Sequence, residues 1–144
     1  MTEPRTITVT TPVRWGDMDA LGHVNNTHFF RWFEEARIAL FEDIGLQSAS
    51  PSGVGPILAS TTCDFVLPVT WPETVAVTAF IERIGTTSFT MRHVASRISD
   101  GAVVGRGIGV VVLVDYDAGR PSPIPAPMRQ ALERLVHPTG DQPG

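Results

Sequence analysis

The 144-residue sequence predicts an α+β domain, with one long helix packed on an antiparallel sheet of about five strands. Residues 25–44 carry the long apolar pattern of helical period, whereas the strand-like segments are rich in β-branched side chains. Four of these segments, at 57–67, 73–84, 86–99 and 102–115, follow one another through short connections. Parallel strands would need a helix-sized crossover between them, so the short connections indicate antiparallel pairing.

The first strand is predicted over residues 6–15, where β-branched and apolar side chains alternate with period two. Pro12 cannot donate a hydrogen bond to a neighbouring strand, which favours an edge position. Residues 16–24 contain two glycines and two aspartates, a composition typical of a loop.

The helix is predicted over residues 25–44, with Asn25 or Asn26 as its N-cap and Gly45 just after its last turn. A helix of about twenty residues is about 30 Å long, and its many aromatic residues predict a central position. Apolar residues at spacings of three and four form one stripe along it: Phe29, Phe33, Ala36, Leu40 and Ile44, widened by Trp32 and Phe41.

The strand at 102–115 places Gly105, Gly107 and Gly109 on one face, which leaves room for the helix to come close. Its other face is apolar apart from Arg106. A sheet that is apolar on both faces needs a cover on each, and this chain has one long helix. The pattern therefore predicts a homo-oligomer.

A proline-rich connection leads to a short helix predicted over 127–136. The whole is interpreted as one domain over residues 1–137, followed by a tail at 138–144 that is expected to be disordered.

Composition limits the classes of function. The net charge of −4 argues against binding nucleic acid through the overall field of the protein. A single cysteine, Cys63, can form neither an intrachain disulfide nor a cysteine-rich zinc site. The sequence has no signal-peptide pattern and no apolar run long enough to span a membrane, so we expect a cytoplasmic protein without membrane contact.

The most informative segment runs from Val13 to Arg37 and reads VRWGDMDALGHVNNTHFFRWFEEAR. It resembles the N-terminal signature of hotdog-fold acyl-CoA thioesterases, in particular the 4-hydroxybenzoyl-CoA thioesterase-like group. Looser similarity continues through CDFVLPVTWPETVAV, IGTTSFTMRH and VVLVDYDAGRPSPIP, and so covers most of the chain. The resemblance implies a hotdog fold, in which an antiparallel sheet wraps around one long helix. It also implies dimers or tetramers with active sites at the subunit interface.

The resemblance further implies the catalytic groups. In this family an acidic residue just before the helix performs the chemistry, and the match D-x-D-A-x-G places it at Asp19. The backbone N–H near Asn26 would bind the thioester oxygen, because a helix N-terminus carries unpaired N–H groups and a partial positive charge. Asp19 could act as a general base or as a nucleophile, and the sequence leaves both open.

Neighbouring residues are assigned supporting roles. His23 could orient water or the thioester, or could equally be a loop histidine. Asn25 and Gly22 are predicted to contact substrate, with N-capping as the alternative role of Asn25.

Three other acidic residues lie on the same segment and are assigned other roles. Asp17, the rival of Asp19, is assigned a structural hydrogen-bonding role. Glu34 is the reserve catalytic residue, because one hotdog lineage carries its acid on the helix. The alternative role of Glu34 is structural, as the partner of Arg37 in an i,i+3 pair. Glu35 is also assigned a structural role.

The leading hypothesis is an acyl-CoA thioesterase that releases a free carboxylic acid and coenzyme A without a metal or cofactor. The alternatives are a hotdog hydratase or dehydratase, or a non-catalytic acyl-CoA binding protein. The spacing from Asp19 to His23 is one residue shorter than the D-x₄-H of hydratases, which disfavours the first alternative. The acyl group, the carrier (coenzyme A or acyl carrier protein) and the choice between dimer and tetramer stay open. Four arginines could contact the phosphates of coenzyme A, and no choice is made among them: Arg83, Arg92, Arg97 and Arg106.

Overall fold

The computed structural model describes residues 5–46 and 53–137. The predicted tail at 138–144 lies outside the described residues, as do residues 47–52 of the predicted loop at 46–56. The elements, in chain order, are β1 (Ile7–Pro12), α1 (Thr27–Asp43), β2 (Val54–Phe65), β3 (Thr74–Ile84), β4 (Ser88–Arg97), β5 (Val103–Asp115), β6 (Arg120–Pro121) and α2 (Ala126–Glu133).

The strands form one antiparallel sheet in the order β1-β3-β4-β5-β2, and the two-residue β6 pairs with the end of β5. This arrangement confirms the α+β class, the antiparallel pairing and the edge position of β1. The first strand ends at Pro12, three residues earlier than predicted, and a short 3₁₀ turn at Trp15–Asp17 follows. The sheet leaves β2 as its second edge, beside the glycine-containing β5.

The apolar stripe of α1 is buried as predicted. Phe29, Phe33, Ala36, Leu40 and Ile44 are each at most 6% exposed. They join side chains of β3, β4 and β5 in one core cluster, to which α2 contributes Leu132.

Two of the three glycines of β5, Gly105 and Gly107, receive side chains of α1, and not its backbone as predicted. A Cβ atom at Gly105 would lie 2.9 Å from the ring of Phe29, and one at Gly107 would overlap the ring of Phe33. Two aromatic rings of α1 therefore occupy the space that the missing side chains leave.

Two polar residues are also buried in this core, His93 on β4 and Arg37 on α1. The His93 ring stacks on Phe33 at a centroid distance of 5.0 Å. Burial, followed by the nearby Arg37 charge, lowers the pKa of His93 to about 3, against an opposing hydrogen bond to the Phe33 backbone. His93 is therefore neutral at physiological pH.

This buried histidine predicts acid sensitivity. The unfolded chain takes up a proton at His93 below about pH 6.5, whereas the folded chain resists it down to about pH 3. The free energy of unfolding should therefore fall as the pH drops through this window, by up to about 1.4 kcal/mol per pH unit from this one group. Urea unfolding between pH 7 and pH 4 measures this change. The free energy of unfolding should fall less steeply with decreasing pH for His93→Gln than for the native chain. Equal slopes would show that His93 does not control the acid response.

No helix within the described ranges 5–46 and 53–137 has the length and apolar character needed to cross a bilayer.

Candidate active site

The loop before α1 is held in shape by its own backbone. The Asp19 N–H donates to the His23 carbonyl oxygen, and the Gly22 N–H donates back to the Asp19 carbonyl oxygen, each at 3.0 Å. Gly22 has a φ of +80°, a conformation that favours glycine. The structure thus gives Gly22 a turn-forming role, whereas the sequence analysis predicted that it contacts substrate. The Asn25 N–H closes the loop on the Asp17 carbonyl oxygen at 3.0 Å.

The Asp19 carboxylate is exposed and is oriented by two donors. Its Oδ1 accepts the Leu21 N–H at 2.9 Å, and its Oδ2 accepts the side-chain amide of Asn25 at 3.1 Å. The Oδ1 of Asn25 in turn accepts the backbone N–H of Thr27 at 3.0 Å and the Thr27 hydroxyl at 2.7 Å. Asn25 therefore caps the helix and ties the carboxylate to its first turn.

The first turn of α1 leaves one backbone donor without an acceptor. The N–H groups of His28 and Phe29 donate to the carbonyl oxygens of Asn25 and Asn26, and that of Thr27 donates to the Asn25 side chain. Among the residues that the structure describes, the Asn26 N–H has no hydrogen-bond acceptor. It is thus available to an oxygen atom of a ligand, in the partial positive field of the helix N-terminus.

A cleft of about 210 Å³ opens at this turn. His23, Val24, Asn26 and Phe29 line one side, and residues 65–69 line the other. The cleft brings together His23 and Asn26 from the predicted site, whereas Asp19, Gly22 and Asn25 are not among its lining residues.

The opposite wall of this cleft was missed in the sequence analysis. Phe65, Val66 and Leu67 end β2 and follow it, and each is between 39% and 45% exposed. From the sequence they were predicted to belong to a strand, with no part in the site. The signal that could have found them is a run of large apolar residues at the end of an edge strand.

Asp17 lies on the other side of the helix start. Its Oδ2 accepts the Arg14 N–H at 2.8 Å, and its Oδ1 lies 3.7 Å from Nδ1 of His28. Both residues line a separate cleft of about 200 Å³ with Arg31 and Glu35. The hydrogen bond to Arg14 fits the structural role predicted for Asp17.

The reserve acid Glu34 lines neither of these two clefts and is exposed on α1. Within residues 5–46 and 53–137 it forms no ion pair with Arg37 at 4 Å or less, so the predicted direct pairing is absent there. Burial lowers the pKa of Arg37, and the Glu34 charge opposes this. The Arg37 Nε atom is buried without a hydrogen-bond partner.

Similarity to known proteins identifies the family of this chain. A family profile described as the thioesterase-like superfamily matches residues 13–132. The chain belongs to the thioesterase-like superfamily. The match begins just after β1, contains the whole of the Asp19–Asn26 loop and ends in α2.

Solved structures with this fold are similar over nearly the whole superfamily domain. The PA2801 protein of Pseudomonas aeruginosa is 36% identical, with 88% of this chain and 98% of that chain covered and a TM-score of 0.80. A predicted thioesterase from Bacillus stearothermophilus is 31% identical, with 94% and 100% covered and a TM-score of 0.85. A Thermus thermophilus thioesterase, complexed with coenzyme A and zinc, is 31% identical, with 89% and 92% covered and a TM-score of 0.75. The superfamily and these names support thioester hydrolysis as the activity of the chain.

Within the described part of the chain, no group of three or more His, Cys, Asp and Glu side chains is placed to hold a metal ion. Cys63 is half-buried, and burial, followed by the Asp64 charge, raises the pKa of its thiol to about 11. The protonated thiol is a weak metal ligand and a weak nucleophile at neutral pH.

Proposed function

We propose that this member of the thioesterase-like superfamily hydrolyses acyl-CoA thioesters to a carboxylic acid and coenzyme A, without a metal. The observation that carries the proposal is the unpaired backbone N–H of Asn26 at the start of α1, a residue that lines a largely apolar cleft. An oriented carboxylate, Asp19, lies on the same loop. The complex of the Thermus relative with coenzyme A supports a CoA ester as the substrate.

In the proposed reaction the Asn26 N–H donates a hydrogen bond to the carbonyl oxygen of the thioester. Asp19 removes a proton from a water molecule, whose oxygen attacks the carbonyl carbon to form a tetrahedral oxyanion. The oxyanion then collapses, the carbon–sulfur bond breaks, and the thiolate takes the proton from Asp19. In other enzymes, loss of one oxyanion donor costs about 2.7–4 kcal/mol of transition-state stabilisation.

The alternative route begins with attack of an Asp19 oxygen on the carbonyl carbon, which gives a mixed anhydride and releases the thiolate. Water then hydrolyses the anhydride. Single-turnover hydrolysis in H₂¹⁸O with excess enzyme detects the anhydride route when water attacks the aspartyl carbonyl of the intermediate. Attack by Asp19 leaves ¹⁸O in the carboxylate of the enzyme when water attacks the aspartyl carbonyl, whereas the general-base route leaves the enzyme unlabelled.

His23 and Asn25 support these steps in different ways. His23 lines the cleft beside Asn26, where its ring can contact the thioester or the attacking water. Asn25 is a positioning residue, because its amide joins the Asp19 carboxylate to the helix cap. Of the two roles predicted for Asn25, substrate contact and N-capping, its hydrogen bonds favour N-capping, from which it also positions Asp19.

We further propose that the active form is a homo-oligomer built on a homodimer. The edge strand β2 is unpaired on its outer side in this single chain, and Ile57 and Leu58 on it are 44% and 39% exposed. Phe65, Val66 and Leu67, at the other end of this edge strand and just after it, are exposed and line the cleft, so a second copy packed along the edge would close the cleft from outside. Analytical ultracentrifugation should give a dimer or tetramer at micromolar concentration, and Leu58→Lys should weaken it. A stable monomer that remains fully active would refute this part of the proposal.

A free-thiol assay tests the proposed activity directly. Purified chain should release coenzyme A from at least one of a panel of straight-chain and aromatic acyl-CoA esters. Acyl-carrier-protein thioesters should be tested in parallel, because they present the same reacting group on another carrier. Absence of thiol release from every thioester would refute the proposal. Saturable acyl-CoA binding without release would instead favour a binding protein, and addition of water to an enoyl-CoA would favour a hydratase.

A further inference from the structure

We infer that Arg97 is a positioning residue of this site, because its guanidinium holds the carbonyl oxygen of Pro68 in the facing wall, the segment 65–69 that lines the cleft opposite Asn26. This inference rests on the proposed thioesterase function. It also removes Arg97 from the four arginines that could contact the phosphates of coenzyme A.

The facing wall leaves the sheet at the end of β2 and is fixed by backbone hydrogen bonds at its two ends. At the first end, the N–H groups of Val66 and Leu67 both donate to the carbonyl oxygen of Val104, at 2.8 and 3.2 Å. At the second end, the carbonyl oxygen of Val69 accepts the N–H of Val24 at 2.8 Å. Because Val24 belongs to the loop before α1, the position of the wall is coupled directly to that loop.

Pro68, between these two ends, is fixed by a side chain. Its carbonyl oxygen accepts a hydrogen bond from Nη1 of Arg97 at 3.1 Å. Within residues 5–46 and 53–137, this is the one hydrogen bond that a side chain makes to the backbone of the facing wall. The side chains of Val66 and Leu67 are exposed, so packing alone constrains this segment weakly. Loss of the Arg97 bond should therefore loosen the wall.

The guanidinium of Arg97 is oriented toward Pro68 by Asp100, in the turn between β4 and β5. Its Nε and Nη2 atoms donate to the two carboxylate oxygens of Asp100, at 3.2 and 2.7 Å. Such a two-point pair fixes the direction of the planar group. The hydrogen bond between them raises the pKa of Arg97 and lowers the pKa of Asp100, so both are charged at neutral pH. All three guanidinium nitrogens of Arg97 thus have acceptors within the protein, which argues against a role in phosphate binding.

Kinetics of Arg97→Ala on two thioesters of one acyl group, the CoA ester and the N-acetylcysteamine ester, test the inference. Asp19 and the Asn26 N–H are retained, so kcat with the CoA ester should change little, whereas KM should rise about two- to tenfold, the range of one hydrogen bond of ordinary net strength. The N-acetylcysteamine ester has no phosphates, and its kcat/KM should fall by a similar factor. A fall confined to the CoA ester would assign Arg97 to the phosphates and overturn the inference. An unchanged KM in a variant that urea unfolding shows to be folded would also overturn it. Absence of turnover by the native chain with every thioester would instead refute the proposed function itself.

Asp100→Asn is a second test, which holds even if Arg97→Ala does not fold. It removes the charge that orients Arg97 and keeps the arginine itself. The value of kcat/KM should fall with both thioesters, by a smaller factor than in Arg97→Ala. If Arg97 bound phosphate, release of its charge from Asp100 would instead raise kcat/KM with the CoA ester alone. That gain, or native values with both thioesters, would contradict the inference.

Glu82→Gln is the matched control for Asp100→Asn. Glu82 on β3 accepts Nε and Nη2 of Arg92 on β4, at 3.0 and 2.6 Å, and neither residue lines the cleft. The Arg92 and Arg97 side chains are 25% and 24% exposed, so the two variants remove the carboxylate from arginine pairs that are equally covered. Glu82→Gln should leave kcat/KM with the N-acetylcysteamine ester unchanged. An equal fall in both variants would show a general loosening of the sheet and would refute the positioning role.

Discussion

Replacing Asp19 by Asn should lower kcat by about 10²–10⁴-fold. The side chains have the same shape, so the variant loses the base or nucleophile and keeps most of the loop. An amide oxygen at this position can still accept either the Leu21 N–H or the Asn25 amide, the two donors that hold the carboxylate. Steady-state kinetics with the best acyl-CoA ester, together with urea unfolding of both proteins, separates lost chemistry from lost structure.

Asp17→Asn is the matched control for this prediction. Asp17 lies two residues away and accepts the Arg14 N–H, but it lines the other cleft with His28. Its replacement should change kcat far less than that of Asp19 and should act mainly on stability. Near-native kcat in Asp19→Asn, or a larger loss in Asp17→Asn, would reverse the assignment of the catalytic acid.

Gly107→Ala should lower the free energy of unfolding by about 1–3 kcal/mol, the usual cost of forcing an extra methyl group into a packed core. A Cβ at this position would overlap the Phe33 ring, which is fully buried and stacked on His93. This steric cost exceeds the gain of about 0.4–1 kcal/mol that Gly→Ala gives by restricting the unfolded chain. Urea unfolding at pH 7 measures the change.

Gly109→Ala controls for the substitution itself, since it lies on the same face of the same strand. The nearest atom to a Cβ there is Leu58 Cδ1 at 3.5 Å, an ordinary van der Waals contact. The two variants share the change in backbone freedom and differ in the space available. Gly109→Ala should therefore be within about 1 kcal/mol of the native chain. Equal effects at the two positions would show that the Phe33 contact does not control this part of the core.

Local patterns were enough to predict the elements around the site. Period-two and helical patterns placed the five main strands and α1, because each element buries one face and its side-chain spacing records which face that is. Gly105 and Gly107 correctly indicated open space on the face of β5 toward α1, but the predicted close approach of the helix backbone was wrong. The sequence could not tell that two aromatic rings would fill the space, since that depends on the register between α1 and β5.

The candidate site was predicted only in part, because only one of its two walls is contiguous in the sequence. The loop from Asp19 to Asn26 is contiguous in sequence, so its resemblance to a known family was enough to identify it. The facing wall at 65–69 is about forty residues away and joins the site only when β2 is placed beside α1. Arg37 was expected to pair with Glu34 on the helix, but it lies at the flank of the apolar stripe, where the fold covers it.

By itself, the sequence determined the α+β class, the long helix and the acidic loop before it, because those features depend on the spacing of neighbouring residues. Only the tertiary structure decided which Asn is the cap and which N–H stays unpaired. It also decided which apolar residues face the cleft. These outcomes depend on contacts between segments distant in the chain, whose register is set by how the sheet and α1 pack together.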